Sequence, residues 1–163
     1  MNSELKSYLR TQAIISAAFN LFINGMVAAL IYHQADYVPT NVVSIAIDLA
    51  ATCLFTFGIS EPFIRSSLKQ TKTAGILEAG NRLMRLTAKL FRLPGLFSVV
   101  VGLTVAIILA VLVGALFIAL GVYALPFGIY IALKCAFATV LGAGVALLEL
   151  YSGMCKVSST HKA

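Results

Sequence analysis

The chain has 163 residues, 60% of them apolar and only 11% charged, with a formal net charge of +6. A soluble domain of this length needs roughly 25% charged residues to coat its surface, so an ordinary water-soluble fold is excluded and most of the surface must meet lipid. The positive charge does not mark a nucleic-acid partner either: such proteins set basic residues on a soluble face, whereas here charge sits in short stretches between long apolar runs.

One crossing of a ~30 Å hydrocarbon core takes ~20 apolar residues at a rise of ~1.5 Å each. The first predicted span, 13–32, holds no formal charge and carries Ser16, Asn20, Asn24 and Ala28 as a stripe at i+4 steps. Its basic start resembles a signal sequence, but the apolar run is too long and has no clear small-x-small site, so an uncleaved first helix is expected. In the loop that follows, Pro39 bars continuation of the helix and Thr40 or Asn41 supplies a cap for the next. His33 and Asp36 in this loop are two ligand types without a third, too few for a metal site.

The second span, 42–64, is apolar except for Asp48 and Glu61, with Ser44 and Thr52 one turn either side of Asp48. Beyond it, Thr71 to Gly75 reads as a flexible joint. A cationic amphipathic helix is then predicted over 76–92, with Arg82, Arg85, Lys89 and Arg92 on one arc and Leu83, Leu86, Thr87, Leu90 and Phe91 on the rest. Such a helix lies flat at the membrane interface, its cations among anionic lipid headgroups.

From Leu93 to Leu133 no residue is acidic or basic. As one helix this run would be ~60 Å long, twice the hydrocarbon core, so it must fold back. The turn is expected at Gly121–Pro126, where glycine releases one helix and proline starts the next. This gives a third span at 97–120 and a fourth at 127–150. The third offers only Ser98, Gly102 and Thr104 as polar or small contacts and is expected to be the most lipid-exposed or the oligomer-forming helix. The fourth carries Lys134 and then Ala138, Gly142 and Ala146, a small-xxx-small row that permits close helix approach. The isolated Cys53, Cys135 and Cys155 read as small buried hydrophobes, with no disulfide framework or CxxC pair. No cofactor or metal is expected, and no nucleophile–base set that would make the chain an enzyme is legible.

Eleven of the twelve basic residues lie before the first span, between the second and third, or after the fourth; the twelfth is Lys134. The positive-inside rule therefore expects both termini in the cytoplasm.

Asn24, Asp48 and Lys134 each fall ~10–13 Å below the outer surface by helical rise. A charge at that depth costs at least ~2.5–3.5 kcal/mol, so Asp48 and Lys134 are expected to face inward and pair. Asn20, Asn24, Asp48, Thr52 and Lys134 form the candidate binding cluster. It reads either as a structural lock between helices or as the lining of a cavity for an ion, proton or small polar solute. Glu61 and Glu149, near the inner ends of their helices, are expected to form interface salt bridges with cytoplasmic arginines.

Pro39, Asp48 and Glu61 have counterparts Pro126, Lys134 and Glu149 at nearly constant separations, which predicts two helical hairpins in the same orientation. The stretch Phe57-Gly58-Ile59-Ser60-Glu61-Pro62-Phe63-Ile64-Arg65, in which proline and then arginine close the second span, resembles an uncharacterised family of small bacterial membrane proteins built from one or two such hairpins. The resemblance implies a bacterial plasma (inner) membrane. The expected fold is an all-α membrane protein over 1–163, a single four-helix domain with an interfacial helix. It is expected to associate as a homo-oligomer or with a membrane-protein partner, as a small transporter or channel-like protein or as an accessory subunit.

Overall fold

A computed structural model of the chain describes residues 3–74, 76–78 and 80–156. It contains five helices and four short strands among those residues: α1 (Ser3–Tyr32), β1 (Tyr37–Pro39), α2 (Val42–Gln70), β2 (Leu77–Glu78), α3 (Arg82–Phe91), α4 (Leu96–Ala119), β3 (Ala124–Pro126), α5 (Phe127–Met154) and β4 (Cys155–Lys156). Helices α1, α2, α4 and α5 are long and apolar enough to cross a membrane, and large apolar side chains such as Phe22, Leu30, Phe55, Phe63, Ile107, Val111 and Val140 stay exposed along them. This surface fits a multi-pass membrane protein.

The expected boundaries shift for local reasons. Helix α1 starts well before position 13 because Leu5, Tyr8 and Leu9 continue its packing face into the core. At the start of α2, the Asn41 side chain accepts from Ser44 N at 2.9 Å, the expected cap. Pro62 does not close this helix, which continues to Gln70. Proline removes one helical hydrogen bond, and a helix locked by tertiary contacts on both sides tolerates that loss. Lys72, at φ 52°, ends it within the expected joint, whose last residue, Gly75, lies outside the described residues. Helix α3 starts at Arg82, capped by Asn81 accepting from Met84 N at 2.8 Å, rather than at position 76. The preceding Leu77–Glu78 pairs instead in parallel with Cys155–Lys156. The turn at Gly121 forms as expected, with the glycine at φ 64°.

Consecutive helices joined by short loops make little contact: α1 packs on α5, α2 packs on α4, and α2 and α5 meet along the middle. The loops cross in the same way. β1 and β3 pair as an antiparallel ribbon in which Val38 faces Leu125, flanked by backbone bonds from Thr40 N to the Tyr123 carbonyl at 2.9 Å and from Phe127 N to the Asp36 carbonyl at 3.0 Å. Val38 at the ribbon's centre is buried, so the ribbon caps the bundle.

The opposite end is closed by α3. There Phe57, Ile64, Leu68, Phe91, Phe97, Leu150 and Met154 form the main apolar core, with Phe91 and Phe97 edge-on at 5.2 Å. The third span was expected to be the most lipid-exposed or the oligomer-forming helix. Helix α4 buries 22% of its apolar window against 17% for α1, so it is not the most exposed of the four, and at Gly102 Phe57 of α2 lies against it.

Candidate intramembrane polar site

Helix α2 carries Ser44, Asp48, Thr52, Thr56 and Ser60 at i+4 steps, so one polar stripe faces its neighbours over roughly 24 Å. Three levels of buried polar contact hang from it.

At the ribbon end, Lys134 Nζ on α5 donates to Asp48 Oδ1 on α2, an ion pair with side chains 8% and 25% exposed. The expected partnership forms. The Tyr130 ring lies 5.9 Å from Lys134 Nζ and meets Tyr32 edge-on at 5.2 Å, and its buried hydroxyl faces Asp48 and Tyr32. Beneath the ribbon, a cavity of about 110 Å³ is bordered by Asp48, Lys134 and Tyr130 together with Thr40, Ser44 and apolar side chains of α4.

Asn24 does not join this pair. It was placed there by depth alone, but its Nδ2 donates back along α1 to the Asn20 carbonyl at 3.1 Å. Thr52 likewise donates at 2.8 Å to the Asp48 backbone carbonyl and not to the carboxylate. Of the five residues expected in one cluster, the ion pair unites two.

The middle level belongs to Asn20. Its Oδ1 accepts from Thr56 Oγ1 of α2 at 2.7 Å, while its Nδ2 donates to the Ser16 carbonyl at 3.0 Å. Ser16 in turn donates to the Gly142 carbonyl of α5 at 2.9 Å. A Cβ at Gly142 would sit 2.9 Å from the Ser16 carbonyl and closer still to Asn20, so the small residue makes the contact possible.

Near α3 lies a third level. Glu61 of α2 accepts from Arg65 Nε at 2.7 Å, from Gly95 N at 3.1 Å and from the Ser98 hydroxyl. The salt bridge expected of it is present, made with Arg65 one turn on. The Arg65 guanidinium also stacks over Phe91 at 4.2 Å and donates to its carbonyl. Glu149 of α5 departs from expectation: it is fully buried and makes no salt bridge among the described residues. Ser60, Glu61 and Arg65 are the polar groups facing it; the Ser60 hydroxyl is a donor directed at it, but no hydrogen bond of good geometry reaches either oxygen among the described residues. Arg65, the cation that faces it, is already paired with Glu61.

Thr56, Ser60 and Glu149 therefore join the site beyond the residues read from the sequence. The first two were signalled by the i+4 stripe continuing past Thr52. Glu149 was visible as a charge, but its lack of donors depends on who else is nearby.

Arg82, Arg85 and Lys89 lie exposed on α3, beside exposed Leu83 and Leu86 and opposite the buried Thr87, Ala88 and Phe91. Arg92 follows them at the end of the helix and borders a separate pocket. No group of three or more His, Cys, Asp or Glu side chains suited to a metal occurs among the described residues. The chain matches no protein-family model, no curated protein and no solved structure.

Proposed function

We propose that the protein is a small transporter or channel-like protein for an ion, proton or small polar solute in a bacterial inner membrane, with both termini cytoplasmic. The observation that carries this reading is that Asp48 and Lys134 border a cavity instead of dry packing. An ionisable pair at that depth, with room beside it for several water molecules, is the usual mark of a solute pathway. From there the polar stripe of α2 leads through Thr56 and Asn20 toward Glu61 and Glu149. In this mechanism Asp48 is the group that accepts the cation or proton, and Lys134 is the counter-charge displaced when it binds.

Purified protein in proteoliposomes tests the reading. Asp48→Asn abolishes ion- or proton-coupled flux while the protein stays folded; unchanged flux sinks the proposal. For orientation, single cysteines at Gln34 and Gln70, in a background lacking the native three, react from opposite faces of the membrane. Labelling from one face rejects the four-span topology.

The bundle is further proposed to be a duplication of one hairpin, in which α1 and α2 correspond to α4 and α5. The crosswise packing supports this, because α1 on α5 and α2 on α4 are the same contact exchanged between halves. So do the ribbon bonds, in which Asp36, Val38 and Thr40 meet Phe127, Leu125 and Tyr123 as a two-fold axis through Val38 and Leu125 requires. Ser16 Oγ lies 2.9 Å from the Gly142 carbonyl of α5 as Ser98 Oγ lies 3.0 Å from the Phe57 carbonyl of α2. Helix α3 is proposed to rest at the cytoplasmic interface with Leu83 and Leu86 among acyl chains and Arg82, Arg85, Lys89 and Arg92 at anionic headgroups.

A second reading, a non-catalytic accessory subunit or homo-oligomer, is favoured by one feature. Where α1 and α2 part, a groove of about 370 Å³ has Gln12, Ser16, Asn20, Ser60 and Ser67 among its lining. Polar groups facing lipid are costly, and a helix of a second membrane protein would cover them. Native mass spectrometry giving a fixed stoichiometry with a partner or second copy supports this reading; a strict monomer excludes it.

A further inference from the structure

At the α3 end a second pocket, about 400 Å³, opens where the ends of α2, α3 and α5 converge. Its size is that of pockets enclosing a small organic group, ~300–1,000 Å³. Lys69 and Arg92 line it, both exposed and neither ion-paired among the described residues. Arg65 also borders it, but its charge is met by Glu61 and the Phe91 carbonyl. The net positive charge of the pocket therefore comes from Lys69 and Arg92.

Ser152 supplies the second, independent observation. It lines the same pocket, is 1% exposed, and its hydroxyl has no hydrogen-bond partner among the described residues. A buried hydroxyl without a partner is costly, and a ligand that accepts its proton removes the cost. The position is enforced by Gly153, where a Cβ would run into Leu68 and Phe91, so α5 can approach this closely only with glycine there. The neighbouring Cys155 adds no negative charge to the wall, because burial pushes its thiol up from the usual range.

We propose that this pocket binds a phosphate group, with Lys69 and Arg92 neutralising its charge and the Ser152 hydroxyl donating to one of its oxygens. Arginine and lysine at the mouth with a hydroxyl donor behind match the charge and the several acceptor oxygens of a phosphate. The phosphate belongs either to an anionic lipid headgroup or to a soluble phosphorylated compound. The proposal does not rest on the transport reading.

The full chain, purified in neutral phosphatidylcholine nanodiscs, is titrated with phosphatidic acid in one arm and with inorganic phosphate and glycerol 3-phosphate in the other, reading thermal shift and retained ligand by native mass spectrometry. Binding in the lipid arm alone assigns a headgroup; binding in the soluble arm alone assigns a free phosphate compound; both outcomes support the site. Lys69→Gln and Arg92→Gln each weaken binding about fivefold, and Ser152→Ala about threefold to tenfold. The paired variant Lys6→Gln/Arg10→Gln, exposed on α1 and away from the pocket, leaves binding unchanged. Circular dichroism and gel filtration confirm that each variant is folded. No binding in either arm overturns the proposal. So does binding that ignores Lys69→Gln, Arg92→Gln and Ser152→Ala, or that falls equally in the Lys6/Arg10 variant.

Discussion

Near the ribbon, α2 and α5 meet through Asp48 and Lys134, opposite charges that satisfy each other beside a cavity. About 20 Å further along α2, by helical rise, the same two helices carry Glu61 and Glu149, two acids that both face Arg65. Glu61 takes Arg65, Gly95 N and Ser98, and Glu149 is left with none among the described residues. Buried ionisable groups are thus satisfied mutually at one end, whereas at the other one acid takes the hydrogen bonds and its neighbour accepts none of good geometry among the described residues. The contrast teaches that burial alone does not say what an ionisable group contributes; its partners do.

The largest effect should come from breaking the first arrangement. Lys134→Met leaves Asp48 without its cation and is expected to cost ~3–5 kcal/mol, the range for a buried pair cut in half. Thermal unfolding in detergent reads this, and Asp48→Asn/Lys134→Met should recover most of the loss. If the double variant is as unstable as the single one, the pair is not a unit of stability.

At the other end, Glu61→Gln disturbs three donors at once and should cost about 2–3 kcal/mol, as for hydrogen bonds to a charged group. Glu149→Gln should change the melting temperature little, because no described hydrogen bond is lost. Equal losses in the two variants would erase the contrast.

The middle level sharpens the comparison, being polar but uncharged. Gly142→Ala sets a methyl against the Ser16 carbonyl and Asn20 and should destabilise α1 on α5 by ~1–3 kcal/mol. Thr56→Val, nearly isosteric, removes only the bond to Asn20 Oδ1 and should cost ~1 kcal/mol. A larger loss from Thr56→Val than from Lys134→Met in the same assay would reverse the order of the levels.

Much of this was legible in the chain itself. The four long apolar helices follow from runs too apolar for water, and the fold-back at Gly121 from a charge-free run too long for one crossing. The Asp48–Lys134 pair follows from the cost of a lone charge in lipid. The placement of Asn24 beside that pair did not hold, because equal depth says nothing about which way a side chain faces around its helix. Pro62 was read as a helix end, since sequence shows the lost hydrogen bond but not the contacts of Ile64 and Leu68 that carry α2 onward.

The sequence by itself thus determined how many helices are long and apolar enough to cross a membrane and where they turn, because hydropathy and backbone hydrogen bonding act locally along the chain. It also determined that two opposite charges within the apolar spans would find each other. Only the tertiary structure decided that α1 packs on α5 and α2 on α4, that Asn20 rather than Asn24 bridges to α2, and that Glu61 takes the donors Glu149 lacks. Those outcomes depend on rotation about helix axes and on competition for a few donors, which helical spacing constrains but does not choose.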